Sequence, residues 1–171
     1  MSAKPLTNLS EINNMAASKA AENDAFRTFL KHANTAEIDL QVAALNESIT
    51  PTINCLDCGN CCKSLMIVVA EKEAAEVARY IGTNKNNFED RFVEKGANGM
   101  MLLNKIPCHF LGGDNACSIY PHRFNGCREF PALHIPGFTN RLFTIFMHYD
   151  RCPIIYNVVE QLKIKIGFIT I

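Results

Sequence analysis

Apolar positions recur at helical spacing near both ends of the chain and shorten to broken runs in between. An alanine-rich stretch follows Ser10, and the pattern predicts a helix capped by Ser10 that runs to about His32. Asn34 followed by Glu37 resembles a capping box, and Ile38, Val42, Leu45 and Ile49 then share one face of a second helix. The run LMIVV, Leu65 to Val69, is short, apolar and β-branched at its end, which predicts a buried strand. In EKEAAEVARYIG, Ala74, Val77, Ala78 and Ile81 fall at helical spacing, with Gly82 as the stop. A shorter helix is expected to carry Phe88, Phe92 and Val93 and to end at Gly96. From Gly99 to Tyr149 the pattern reads as extended pieces interrupted by GGDN, Pro121, Pro131 and Pro136, with RLFTIFMHY as the best strand. After Pro153, the residues Ile154, Ile155, Val158, Val159 and Leu162 line one face of a closing helix through about Lys165.

These elements predict a small, irregular, metal-stabilised α+β domain with N-terminal packing helices and short strands. The expected division is a helical region over 1–50 packed on a cysteine-bearing body over 51–171. A length of 171 residues suffices for one such domain with a real core. No internal repeat is present, which sets aside a solenoid.

Charge narrows the partners. Lys plus Arg equals Asp plus Glu at 17 each, so there is no dominant basic field and no nucleic-acid partner is expected. The first twenty residues lack the apolar core of a signal peptide, and no later run is long enough to span a bilayer. A cytoplasmic location without a membrane partner follows as an expectation. In that compartment redox buffers oppose structural disulfides, so the eight cysteines are expected to be reduced and to bind metal.

All eight lie between Cys55 and Cys152. CLDCGNCC places Cys55, Cys58, Cys61 and Cys62 within eight residues, and each CxxC pair can grip one ion from a tight turn. Gly59 permits a backbone that exposes N–H groups to sulfur. Side chains at adjacent positions diverge in a strand and stand about a hundred degrees apart in a helix. Cys61 and Cys62 are therefore not expected to share one ion comfortably. They serve two ions, feed a polynuclear cluster, or include a structural or reactive thiol. Cys108, Cys117, Cys127 and Cys152 complete a set of eight. That number suits two tetrahedral four-thiolate sites, or one cubane cluster with four cysteines left over.

Thiolate sites need compensating charge when partly buried. Lys63, Arg123, Arg128 and Arg151 each lie within four residues of a cysteine. Tyr120, Arg123 and Arg128 are candidates either for supporting the metal site or for lining a pocket for an anionic substrate. His109, His122 and His148 stand near cysteines and are candidates to ligate the metal or to donate hydrogen bonds to the sulfurs, though a satisfied or exposed histidine is the commoner case; His32 and His134 are weaker candidates. Met100 and Met101 read as core filling rather than a copper site. No GxSxG elbow supports a serine hydrolase.

The order CLDCGNCC, CHFL, CSIYPHR, CREFP and a late Cys-Pro resembles the CxxCxxCC cysteine-cluster family, a zinc- or iron-chelating domain family also called YkgJ-type. The resemblance spans roughly residues 50 to 153. It implies metal ligands at Cys55, Cys58, Cys61, Cys62, Cys108, Cys117, Cys127 and Cys152. Phe124 stands where the family usually has proline, which bears on the local turn and on no ligand. More distantly, the same blocks are similar to the cysteine region of flagellin lysine methylases, which implies iron-sulfur and S-adenosylmethionine chemistry in some relatives. This chain has neither the length of those enzymes outside the cluster nor a glycine-rich nucleotide loop.

The expected function is metal coordination by a multi-cysteine cluster, with an iron-sulfur cluster or zinc as cofactor. A redox or electron-transfer role would require a protein or redox partner that the sequence does not identify. The alternatives are a structural zinc module without turnover and a methyltransferase-related iron-sulfur protein. Thiol-disulfide exchange through CLDC and metal storage or trafficking complete the set.

Overall fold

The computed structural model describes residues 4–169 and divides the chain into two units, one of Met1–Ile53 with Pro131–Ile171 and one of Asn54–Phe130. The first unit begins with α1 (Leu9–Ser18), α2 (Ala20–Lys31) and α3 (Thr35–Ile49). The expected single helix from Ser10 to His32 is two helices. Asn8, not Ser10, caps the first by accepting from the Ser10 and Glu11 N–H groups, and the backbone turns at Lys19. Asn34 caps α3 as expected, and Ile38, Val42, Leu45 and Ile49 are its buried face.

The second unit carries α4 (Cys55–Cys58), α5 (Asn60–Ser64), α6 (Glu71–Tyr80), α7 (Lys85–Phe92), β1 (Val93–Lys95), β2 (Met101–Leu103) and α8 (Asn125–Glu129). Strands β1 and β2 are antiparallel, with Glu94 opposite Leu102. Val93, expected at the end of a helix, pairs with Leu103 instead. The expected buried strand LMIVV makes one isolated bridge, Val68 to Leu102, and alternates in burial. Val69 is in the core, while Met66 and Val68 are 55% and 54% exposed. Only one face of this segment packs on the core, so its alternate residues turn outward. Phe88, Phe92, Phe110 and Phe124 build this unit's core with Val77, Leu103 and Ile119. Each buried aromatic contributes about 1.5–3 kcal/mol relative to exposure. Cys108, Cys117 and Cys127 pack against that cluster.

The chain then returns to the first unit with α9 (Leu142–Met147) and α10 (Pro153–Lys165). RLFTIFMHY is thus a helix rather than a strand. Asp39 accepts the N–H groups of Gly137 and Phe138, at 2.7 and 2.9 Å, and so fixes a 3-10 turn over Phe138–Arg141 that runs directly into α9. Leu142 and Ile145, one helical turn apart, become the buried side. Here a tertiary cap overrides β propensity.

Helix α10 ends at Lys165 as expected, and Ile154, Ile155, Val158, Val159 and Leu162 are buried. It packs on α3 and α1, so residues 131–171 group with the N-terminal helices rather than with the cysteine body of the expected 51–171 division. The fold class is α+β. No helix among the described residues is long and apolar enough to cross a membrane.

Candidate metal centre

The site grows from two cysteine-bearing segments of the Asn54–Phe130 unit. In the first, the Asn54 side chain accepts the Leu56 N–H and starts α4, which places Cys55 and Cys58 one turn apart. Gly59, at φ +57°, ends α4 and opens α5, which carries Cys61 and Cys62. This left-handed joint suits glycine, and a Cβ there would lie 3.0 Å from the Asn115 Cβ.

Hydrogen bonds tie the second segment to the first. Cys108 donates its N–H to the Cys62 carbonyl at 2.8 Å, and Asn115 Nδ2 donates to the Asp57 carbonyl at 3.2 Å. Between them a tight turn returns the chain so that Leu111 bridges Cys117, with the Gly112 N–H donating to Ala116 at 2.7 Å. Cys127 follows on α8. The Glu73 carboxylate holds the start of that helix by accepting the Asn125 N–H while also accepting the Ala70 N–H at 3.0 Å. Phe124, where the family usually has proline, has φ −58°. That angle is one proline adopts, so the turn keeps its form while the phenylalanine ring joins the core.

Six thiols converge on one cavity of about 160 Å³: Cys55, Cys61, Cys62, Cys108, Cys117 and Cys127. Asn115, Tyr120, Arg123 and Arg128 complete the polar part of the lining. Cys58 is outside that lining but close enough for its charge to raise the Cys55 thiol. Cys152 belongs to the first unit, where it is 7% exposed and its carbonyl accepts the Tyr156 N–H at the start of α10. All eight are thiols rather than disulfides.

The sulfurs of Cys61 and Cys62 are 3.9 Å apart. Adjacent residues on a helical turn can still bring their sulfurs into contact when their χ1 rotamers turn toward each other, which corrects the expectation of divergence. With Cys61 as donor, this contact holds the Cys62 thiol low and pushes the Cys61 thiol up. Burial, then the neighbouring charges of Cys108, Cys61 and Cys117, raise Cys127 to about 12. Burial followed by Cys61 and Cys58 raises Cys55. Burial also raises Cys108, against a hydrogen bond from the Phe110 backbone. The Arg123 guanidinium opposes these shifts at Cys55 and Cys127. It lies 4.0 Å over the Tyr120 ring and donates from Nη1 to the Tyr120 carbonyl at 3.1 Å.

The histidines stand elsewhere. His109 Nε2 meets Asn104 Oδ1 at 2.6 Å, His122 lies tilted against Tyr80 and His148 lies in the first unit. Lys63 is exposed on α5, and Arg151, also in the first unit, pairs with Asp150. Asn115 and Glu73, which hold the cysteine segments in place, were not singled out from sequence. The one signal was the GGDN turn, where asparagine tolerates the left-handed backbone it adopts at φ +64°.

The family model described as a "Putative zinc- or iron-chelating domain" matches residues 54–152. The chain belongs to the CxxCxxCC family. No curated protein and no solved structure gives a significant match. The CxxCxxCC match and the converging thiols identify a cysteine-rich metal-binding domain. Among the described residues no three His, Cys, Asp or Glu side chains form a ready-made cage. The donor chemistry nevertheless fits a soft metal ion. Crowded, half-buried thiols that raise one another are the groups a thiophilic cation would ionise and hold.

Proposed function

We propose that this domain chelates zinc through tetrahedral thiolate coordination and that the metal completes the fold of the Asn54–Phe130 unit. The carrying observation is the 3.9 Å between the Cys61 and Cys62 sulfurs. Two thiolates on one tetrahedral zinc, with Zn–S near 2.3 Å, stand about 3.8 Å apart. In a cubane each corner iron takes its own thiolate, which spreads the ligands more widely. Six thiols around the cavity, with Cys58 beside them, exceed the four that one ion uses. The proposed ligands are therefore Cys55, Cys58, Cys61, Cys62, Cys108, Cys117 and Cys127, shared between more than one ion. Cys152 remains a candidate ligand on the sequence pattern alone.

Arg123 and Arg128 offset the negative charge that four thiolates leave around a divalent ion. The unit's two three-residue strands and single phenylalanine cluster make a small scaffold, for which a metal is a common staple. Replacing Cys58 with Ser should lower zinc content and thermal stability together. Full metal content with unchanged melting would reject the reading.

A second reading, an iron-sulfur centre in electron transfer, is favoured by the CxxCxxC spacing of Cys55, Cys58 and Cys61 with the remote Cys152–Pro153. Inorganic sulfide bound with iron would select it.

A further inference from the structure

The two cysteine segments are sequence-distant, and the Asn115 side chain joins them beside the cavity. Asn115 comes from the Gly112–Ala116 turn, lines the cavity and donates from Nδ2 to the Asp57 carbonyl in α4. It also covers the left-handed joint at Gly59, where the closest approach to an added Cβ is its own Cβ at 3.0 Å. Its neighbours on either side in space therefore carry thiols: Cys55 and Cys58 on α4, Cys61 and Cys62 on α5, and Cys117 two residues further along its own segment.

Another tie, from the Cys108 N–H to the Cys62 carbonyl, is backbone to backbone and independent of residue type. The Asn115 tie is not. Asparagine satisfies both its demands, because it tolerates φ +64° and its amide supplies the N–H donor. Aspartate would fit the backbone and lose the donor.

We propose that Asn115 is a positioning residue that latches the Cys117 segment onto the CLDCGNCC segment and thereby slows metal exchange at the thiol cavity. The proposal rests on the metal reading above. Parting this contact lets the turn swing from α4 and opens the cavity beside Cys55 and Cys117, while the backbone tie at Cys62 and Cys108 stays closed. An exposed hydrogen bond of this kind is worth about 0.5–1.5 kcal/mol, which corresponds to about a twofold to tenfold change in release rate.

The test is zinc release from the full-length, metal-loaded chain to a chromogenic chelator in excess. Two variants separate the latch from the backbone: Asn115→Gly keeps the left-handed turn and removes the side chain, and Asn115→Asp keeps its size and removes the donor. Both should bind the wild-type amount of zinc and release it about twofold to tenfold faster. Thermal midpoints of the loaded proteins, measured alongside, should fall too little to account for the rate. Release at the wild-type rate from Asn115→Asp, or from a folded Asn115→Gly, would overturn the latch and leave the metal reading standing. Wild-type protein that binds no zinc would overturn both.

Discussion

Cys61 and Cys62 are chain neighbours whose sulfurs lie 3.9 Å apart and line the same cavity. On the zinc reading proposed above, that convergence makes them partners on one ion rather than a junction between two ligand sets. Cys61→Ser and Cys62→Ser should therefore each lose the same fraction of bound zinc, and Cys61→Ser with Cys62→Ser combined should lose no more than either alone. Additive losses, read by elemental analysis of the purified variants, would show that the two serve different ions.

In the first unit, the buried Lys163 ammonium, 4% exposed, donates to Glu22, Asn23 and Glu160 at 2.6–2.7 Å. Removing one member of a buried ion pair costs about 3–5 kcal/mol when the partner is left unpaired, but here Lys19 and Tyr149 still hold Glu160. Lys163→Ala should therefore destabilise the protein by less than about 3 kcal/mol in urea unfolding. Lys163→Met, with Glu160→Gln in the same chain, should recover part of the loss.

Glu160 also gives this network a pH dependence. Burial works to raise its carboxyl, but the hydrogen bonds from Lys163, Lys19 and Tyr149 outweigh it and hold the group below the ordinary glutamate value. A carboxylate lowered on folding adds stability above its unfolded pKa of about 4.3, and that stability is lost as pH falls through the folded value. The gap in melting temperature between wild type and Glu160→Gln should be widest near neutral pH and should shrink below about pH 4. A gap constant down to pH 3 would contradict the assignment.

Asp39 bears on RLFTIFMHY, a segment whose type the sequence misled. Its carboxylate caps the turn before α9 through Gly137 and Phe138. Asp39→Ala should cost about 1–2 kcal/mol, as loss of a charged cap does, and should reduce helical signal slightly.

The helices with apolar residues three and four apart, α3, α6 and α10, were readable because their own periodicity decides their burial. RLFTIFMHY was not, because Asp39, about a hundred residues away in sequence, decides it. LMIVV misled for a related reason: its composition fits a strand, but only one neighbour is there to pair with it. The cysteines of the centre stood out by residue type and spacing alone. What stayed hidden was side-chain geometry: the Cys61–Cys62 contact within α5, and between segments the Asn115–Asp57 hydrogen bond and the Glu73 clamp on the Cys127 helix. Each depends on side-chain direction, which spacing does not encode.

The most direct measurement is elemental analysis with a visible absorption spectrum on protein purified without oxygen. The account predicts colourless protein that contains zinc in excess of one ion per chain. Coloured protein carrying iron and inorganic sulfide, or protein without bound metal, would contradict it.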